Sequence, residues 1–193
     1  MRFFNTATGK KEDFVSDSKN LGLYICGPTV YADTHLGHAK SYVSFDVLKR
    51  WLAYRGYEIN HIQNFTDVSD ETALGASKEG IDELEFTNKY EKEFLDKMKL
   101  LSNTPATKYT RASDFVKQIA EETKKLLDAG EAYQTDDGIF LRIKQEEHGK
   151  LLGVSLENSL AEGTSEVDSG PKKSPHDTLL WGPPLDGGKI WEF

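Results

Sequence analysis

Residues 21–67 read LGLYICGPTVYADTHLGHAKSYVSFDVLKRWLAYRGYEINHIQNFTD, and the periodicity within this stretch decides the fold. Leu21-Gly-Leu-Tyr-Ile-Cys26 is a short apolar run stopped by Gly27-Pro28, the pattern of a buried strand that ends in a turn. From about Gly37 to Tyr54 the residues Tyr42, Val43, Phe45, Val47, Leu48, Trp51 and Leu52 recur at mixed spacings of three and four. This predicts a core-facing helix, which Gly56 ends. Glu58-Ile-Asn-His-Ile-Gln-Asn-Phe65 then partly alternates and predicts a second strand. Strand, helix and strand in that order predict a parallel βαβ unit, the start of a nucleotide-binding α/β sheet.

Outward from this unit the character changes. Ile81 to Leu101 and Ser113 to Ala129 are two charged, amphipathic helical patterns joined by a linker containing Pro105, and Gly130 stops the second. Ala132-Tyr-Gln-Thr135 and Ile139-Phe-Leu-Arg-Ile143 flank Asp136-Asp137-Gly138, a short-range hairpin signal. Ala161 to Ser174 is rich in Gly, Ser, Glu and Lys without apolar periodicity, which predicts a mobile surface loop. Pro183, Pro184, Gly187 and Gly188 precede Ile190-Trp-Glu-Phe193, and no internal repeat is visible. One βαβ unit leaves sheet edges and faces that ordinarily need more strands and helices, so the chain reads as half of a sheet.

Composition bounds the function. With 193 residues and 37% hydrophobic content the chain can build one sizeable core, or a domain with a smaller insertion. Its net charge of -8, from 32 acidic and 24 basic residues, excludes a global basic surface, so any RNA contact must be local or lie outside the chain. The single cysteine, Cys26, excludes an internal disulfide framework, and the opening Met-Arg-Phe-Phe does not read as a secretory signal, which suits a reducing cytoplasm. No stretch approaches the roughly 20 apolar residues of a membrane span.

His35 and His38 stand three apart at the predicted helix entrance, so both rings can face one side, where the amino-end dipole favours phosphate. Gly37 removes a side chain where a flat base or ribose would approach the backbone. Imidazoles placed there would stabilise charge developing on a transferring α-phosphate, which points to nucleotidyl transfer. The competing reading is a pair of histidines that merely cap or solvate a helix start.

The ordered blocks around the histidines narrow the choice. Tyr24-Ile-Cys-Gly-Pro-Thr-Val-Tyr31, His35-Leu-Gly-His-Ala39, Phe45-Asp-Val-Leu48, Gly56-Tyr57 and Asn64-Phe-Thr-Asp67 together resemble the cysteinyl-tRNA synthetases. Arg111-Ala112, Gly149-Lys-Leu-Leu-Gly-Val-Ser-Leu156 and Pro175-His-Asp-Thr-Leu-Leu-Trp181 extend the resemblance over nearly the whole chain. It implies an α/β fold: a partial Rossmann-like parallel sheet of the class I synthetase, HUP-type kind, with a helical and hairpin insertion. Residues 1–75 would form the first half of the nucleotide-binding catalytic domain, and residues 76–193 the connective insertion and the return towards the catalytic sheet. The second half-sheet, a Lys-Met-Ser-Lys-Ser clamp loop and the anticodon-binding domain are expected beyond Phe193.

For an intact protein the resemblance implies ligation of cysteine to tRNA(Cys). Cysteine and ATP, with Mg2+, give cysteinyl-adenylate and pyrophosphate, and the acyl group then passes to the terminal ribose; no protein nucleophile is needed. On this basis His35, Gly37 and His38 bind ATP, with His35 and His38 catalytic, while Cys26, Gly27, Thr29, Thr66 and Trp181 form the cysteine pocket. Cys26 matches a family cysteine that ligates Zn2+, and a direct Zn–S contact to the substrate thiol rejects serine. Read from the residue alone, Cys26 is a buried strand-end cysteine. The family's other zinc ligands are expected beyond Phe193, so one ligand is expected here and the fragment is expected to be inactive alone. His61, His148 and His176 are scattered singly and read as isolated surface or core histidines. A helix cap at Thr66-Asp67, and core packing for Tyr31 and Trp181, remain open readings. The resemblance also implies a monomeric, cytoplasmic enzyme with no membrane contact.

Ala32 stands where the family often has aspartate, and Ser69 and Glu71 replace the aspartate and lysine of Thr-Asp-Val-Asp-Asp-Lys. Two other functions fit: a cysteine ligase of the mycothiol pathway, which passes cysteine to an amino-sugar, and a truncated, non-catalytic paralogue that binds nucleotide or RNA.

Overall fold

The partial alternation of Glu58–Phe65 is met in the computed structural model, which describes residues 1–144, 149–151, 153, 172–174, 176–183 and 188–193. In chain order the elements begin with β1 (Arg2–Asn5), β2 (Lys10–Asp13), β3 (Asn20–Ile25), α1 (Leu36–Tyr54), β4 (Glu58–Phe65), α2 (Asp70–Glu79) and α3 (Glu83–Leu100). They continue with β5 (Lys108–Arg111), a 3₁₀ turn (Ala112–Phe115), α4 (Val116–Asp128), β6 (Ala132–Thr135), β7 (Gly138–Leu141) and β8 (Thr178–Trp181). The chain divides into two compact units, one of residues 17–116 and 184–193 and the other of residues 1–16 and 117–183.

The 17–116 unit holds the predicted βαβ. Its sheet has the order β3-β4-β5 and is parallel throughout, with Ile25 opposite Gln63 and Phe65 opposite Arg111. Along β4 the residues His61, Gln63 and Phe65 are buried, while Asn60, Ile62 and Asn64 on the other face are not. The buried face continues onto β3 through Ile25 and receives helices α1 and α3. Phe65, with no exposed surface, meets Phe94 of α3 edge-on at 5.6 Å and stacks on Tyr109 of β5 at 5.4 Å, and Tyr42 of α1 meets Phe94 at 4.9 Å. The opposite face is open: Tyr24 is exposed.

Two elements of this unit were not expected. The stretch read as a Pro105 linker contains β5, a third parallel strand of only four residues with no alternation to betray it. Helix α2 starts at Ser69, whose hydroxyl caps the Thr72 N–H while the Thr72 hydroxyl returns to the Ser69 backbone. The Ser69 departure is therefore a capping box. Gly80, at φ 68°, ends α2 in the left-handed conformation, and Thr72 also donates to buried Glu83 at 2.5 Å, which joins α2 to α3.

A buried lysine ties α1 to the loop before β5. Lys49 Nζ donates to the carbonyls of Thr104 at 2.8 Å and Pro105 at 2.6 Å, and lies 3.3 Å from His61 Nδ1. These contacts satisfy an ammonium that the helix has drawn out of water.

In the other unit, β1 and β2 form an antiparallel hairpin that the sequence patterns did not announce, with Phe3 and Phe14 edge-on at 5.5 Å. The Asp136-Asp137-Gly138 signal does join two antiparallel strands, β6 and β7, and Gly138 takes φ 135°. Strand β8 adds to β7. Buried Asp177 accepts from the Tyr133 hydroxyl at 2.6 Å and the Ile143 N–H at 3.0 Å. His148 and residues 161–171 of the expected mobile loop lie outside the described residues. No helix among the described residues is long and apolar enough to cross a membrane.

The Lys49–His61 arrangement has a pH signature. Burial, and then the Lys49 charge, lower the His61 pKa from 6.5 to about 4. The unfolded chain takes up the proton first, so the full stability is present above about pH 6.5 and is lost as pH falls towards about 4. Urea unfolding across that window should show a shallower acid loss for His61→Asn, which has no titrating ring, than for the native chain. Equal slopes would remove His61 as the cause.

Candidate active site

Strand β3 stops pairing in the regular way at Ile25, and the reason is a close approach. A Cβ on Gly27 would sit 1.5 Å from the Asn64 carbonyl oxygen, so only glycine lets the two chains meet there. The Gly27 N–H donates to Asn64 Oδ1 at 2.9 Å, and the Tyr24 hydroxyl donates to the same atom at 2.8 Å. Parallel pairing resumes at Thr29 opposite Thr66, where the Val30 N–H donates to Thr66 O at 3.2 Å and the Thr66 N–H to Pro28 O at 3.1 Å. Cys26 is left at the carboxyl end of the strand with its side chain exposed rather than buried. Its carbonyl is held from behind by the Tyr42 hydroxyl at 3.1 Å. Burial raises the Tyr42 pKa, so that group stays a neutral donor.

Helix α1 starts after the following loop, and its cap is built from imidazoles. His35 is the N-cap in an extended conformation, and its Nδ1 accepts the Gly37 N–H at 3.0 Å. His38 Nδ1 in turn accepts the His35 N–H at 3.4 Å, which closes a capping box. The two rings stack 3.9 Å apart at 20°. With both Nδ1 atoms accepting, both protons belong on Nε2, so the pair presents two N–H donors beside a helix amino end. Burial, and then the neighbouring His35, lower the pKa of His38 and favour this neutral donor form. Gly37 has a local purpose: a Cβ there would lie 2.8 Å from the His35 ring. The capping and phosphate-facing readings of these histidines are thus compatible, because capping uses Nδ1 and leaves Nε2.

Glu93, on α3, holds the approach to this cap. Its Oε2 accepts from the Thr34 N–H at 3.1 Å and the Thr34 hydroxyl at 2.6 Å. They stand 59 positions apart, and the sequence between them carries no pattern that would pair the two. Asp67, at 3% exposure, accepts the Ser113 N–H at 3.0 Å and the Ser113 hydroxyl at 2.5 Å. It therefore tethers the end of β4 to the 3₁₀ turn rather than capping a helix, and nearby Arg111 pairs with buried Glu91 through two contacts. Thr66 is half-buried and near Asn64, with 3.4 Å from Asn64 Nδ2 to Thr66 Oγ1. Trp181 ends β8, in the other unit, opposite Ile139.

Among the described residues no three of His, Cys, Asp and Glu cluster so as to hold a metal ion. Cys26 is one thiol without a surrounding ligand set, and these residues do not make a zinc site.

A glycine-permitted strand end, a helix amino terminus with paired donors and a parallel sheet define a Rossmann-like α/β domain, a fold that commonly takes its ligands at the carboxyl ends of the strands. The fold is shared with the solved Agrobacterium radiobacter LeuRS–tRNA–LeuAMS ternary complex, at a TM-score of 0.53 and 21% identity over 60% of this chain and 15% of that one. It is also shared with Mycobacterium tuberculosis methionyl-tRNA synthetase in complex with methionyl-adenylate, at 0.51 and 18% over 58% of this chain and 23% of that one. Residues 13–192 match the family described as tRNA synthetases class I (C) catalytic domain, and the chain belongs to that family. Among its relatives, the cysteine–tRNA ligase of Thermococcus onnurineus is 38% identical over 100% of this chain and 40% of its own length. That of Dehalococcoides mccartyi is 39% identical over 100% and 42%. The chain thus spans about two-fifths of these curated relatives.

The two glycines should respond differently to alanine. Gly27→Ala drives a Cβ into backbone, which cannot give way, and should cost at least ~3 kcal/mol in denaturant unfolding. Gly37→Ala meets only a side chain and should change stability by less than about 1 kcal/mol, yet displace the His35 ring and shift both imidazole resonances. A well-tolerated Gly27→Ala would mean that the strand ends are not held together as described.

Proposed function

We propose that this chain is the amino-terminal part of the catalytic domain of a cysteine–tRNA ligase, and that its share of the chemistry is to grip ATP and present cysteine for adenylation. The observation that carries this reading is the stacked His35–His38 pair at the start of α1, with Nδ1 atoms committed to the backbone. In the adenylation step the cysteine carboxylate attacks the α-phosphorus and the bond to pyrophosphate breaks. Negative charge grows on the phosphoryl oxygens, and two fixed Nε2–H donors at a helix amino end are suited to it without reorganising. The protein supplies positioning rather than a nucleophile.

The cysteine would lie across the ends of β3 and β4, among Cys26, Gly27, Thr29 and Thr66. The hydroxyls of Thr29 and Thr66 are neutral partners for its polar groups. Transfer to tRNA(Cys), a Mg2+ ion on the triphosphate, a monomeric state and a cytoplasmic location complete the proposal for the intact protein.

Zinc enters this reading only through Cys26. A lone thiol does not retain Zn2+, so elemental analysis of the dialysed 193-residue chain should find well below one equivalent. Stoichiometric zinc would require a different ligand set.

The functional test is cysteine-dependent exchange of labelled pyrophosphate into ATP. It would compare the 193-residue chain with a version completed by the remainder of a longer relative. The completed protein should exchange and the short chain should be nearly silent, because stabilisation shared across a constellation is not recovered piecemeal. In the completed protein His35→Ala or His38→Ala should slow exchange by roughly 10²–10³-fold while leaving cysteine binding little changed. Comparable turnover by the short chain, or a parallel loss of exchange and cysteine binding in the histidine variants, would overturn the assignment.

A further inference from the structure

A cavity of about 590 Å³ lies between α1, α3 and the buried face of β3 and β4, and residues 102–105 of the loop before β5 form part of its lining. Its lining includes none of Cys26, Thr66, His35 or His38, so it is distinct from the proposed nucleotide site. Its size falls within the range of small-molecule pockets. One side is apolar, formed by Phe45, Phe94, Leu95, Met98 and Tyr109.

The polar side is incomplete. Lys49, His61 and Gln63 line it and are 8%, 5% and 3% exposed. The Lys49 ammonium spends its hydrogens on neutral acceptors, the Thr104 and Pro105 carbonyls and His61 Nδ1. Among the described residues no carboxylate lies within 4.0 Å of it, and Asp46, whose charge it feels, is already paired with Arg50 at 2.6 Å. With Nδ1 accepting, the His61 proton sits on Nε2, and both this N–H and the Gln63 Nε2 amide are buried without a hydrogen-bond partner among the described residues. The Lys49 ammonium is hydrogen-bonded but has no direct counter-charge, and the two orphan donors beside it have no acceptor; one anionic oxygen would supply both.

We propose that this cavity is a second binding site, for a small apolar monocarboxylate. Its carboxylate accepts from His61 Nε2–H and Gln63 Nε2–H beside Lys49, and its aromatic or branched aliphatic body packs on the Phe45, Phe94 and Met98 wall. A neutral molecule of the same shape fills the apolar side but leaves the cation uncompensated, so selectivity for the charged form is the distinguishing property.

The test is a titration of the isotopically labelled chain with benzoate and, separately, with benzyl alcohol as its uncharged counterpart, followed by NMR. Benzoate should give saturable shifts centred on the Gln63 side-chain amide and the His61 Nε2–H, with affinity at least ~10-fold above that of benzyl alcohol. Lys49→Met should bring that ratio to about one. Because Lys49 also ties down the 102–105 loop, Gln63→Leu provides a second variant that keeps the cation: it should weaken benzoate and spare benzyl alcohol. Shifts that fail to saturate, equal affinities for the two probes, benzoate binding unaffected by Gln63→Leu, or shifts clustered at His35 and His38 would each overturn the proposal.

Discussion

The approach of Gly27 to the Asn64 carbonyl is the constraint on which the site depends. Two parallel strands cannot come this close at a residue with a side chain, since a Cβ would fall 1.5 Å from the oxygen. Because Gly27 permits it, regular pairing of β3 breaks off after Ile25, Cys26 is exposed, and pairing resumes as a single bridge between Thr29 and Thr66. Asn64 closes the break by accepting from both Tyr24 and Gly27. An uninterrupted strand would have placed Cys26 in the ladder and carried the following loop elsewhere.

The start of α1 shows one set of atoms meeting two demands. A helix amino end needs acceptors for its orphan N–H groups, and serine, threonine, aspartate or asparagine usually supply them. Histidine does so here through Nδ1, which fixes the tautomer and leaves Nε2–H as a donor. Gly37 makes room for the ring that performs the capping. Glu93 reaches this cap from α3, a helix that the family resemblance assigned to the insertion, by holding Thr34. Placement of the histidines is therefore shared between the βαβ unit and a helix that arrives well after it.

The buried face of the sheet is unusual for parallel strands, which are ordinarily near-continuous aliphatic runs. His61 and Gln63 stand where branched aliphatics would be expected, opposite Leu23 and Ile25, and Lys49 descends from α1 to meet them. Carbonyls of the loop before β5 satisfy much of this polarity. The remainder borders a cavity, where a buried polar group without a partner costs free energy comparable to a lost hydrogen bond.

Sequence periodicity by itself determined β3, α1 and β4, because each writes its own repeat into contiguous residues: the spacings of Tyr42 to Leu52, the alternation of Glu58 to Phe65, and the Gly27 and Gly56 stops. The Asp136-Asp137-Gly138 turn was legible for the same reason, since backbone conformation there depends on neighbouring residues alone. The His35–His38 spacing announced a candidate site but left capping and ligand binding as rivals, and only ring geometry showed them to be compatible. Strand β5, the β1–β2 hairpin and β8 were hidden, being four-residue segments whose extended state is stabilised by partners elsewhere. The same holds for Glu93 on Thr34, Ser113 on Asp67 and Lys49 on the 104–105 carbonyls. Those contacts join residues roughly fifty positions apart, and tertiary structure alone decided them, because a hydrogen bond between distant segments leaves no periodic trace in either.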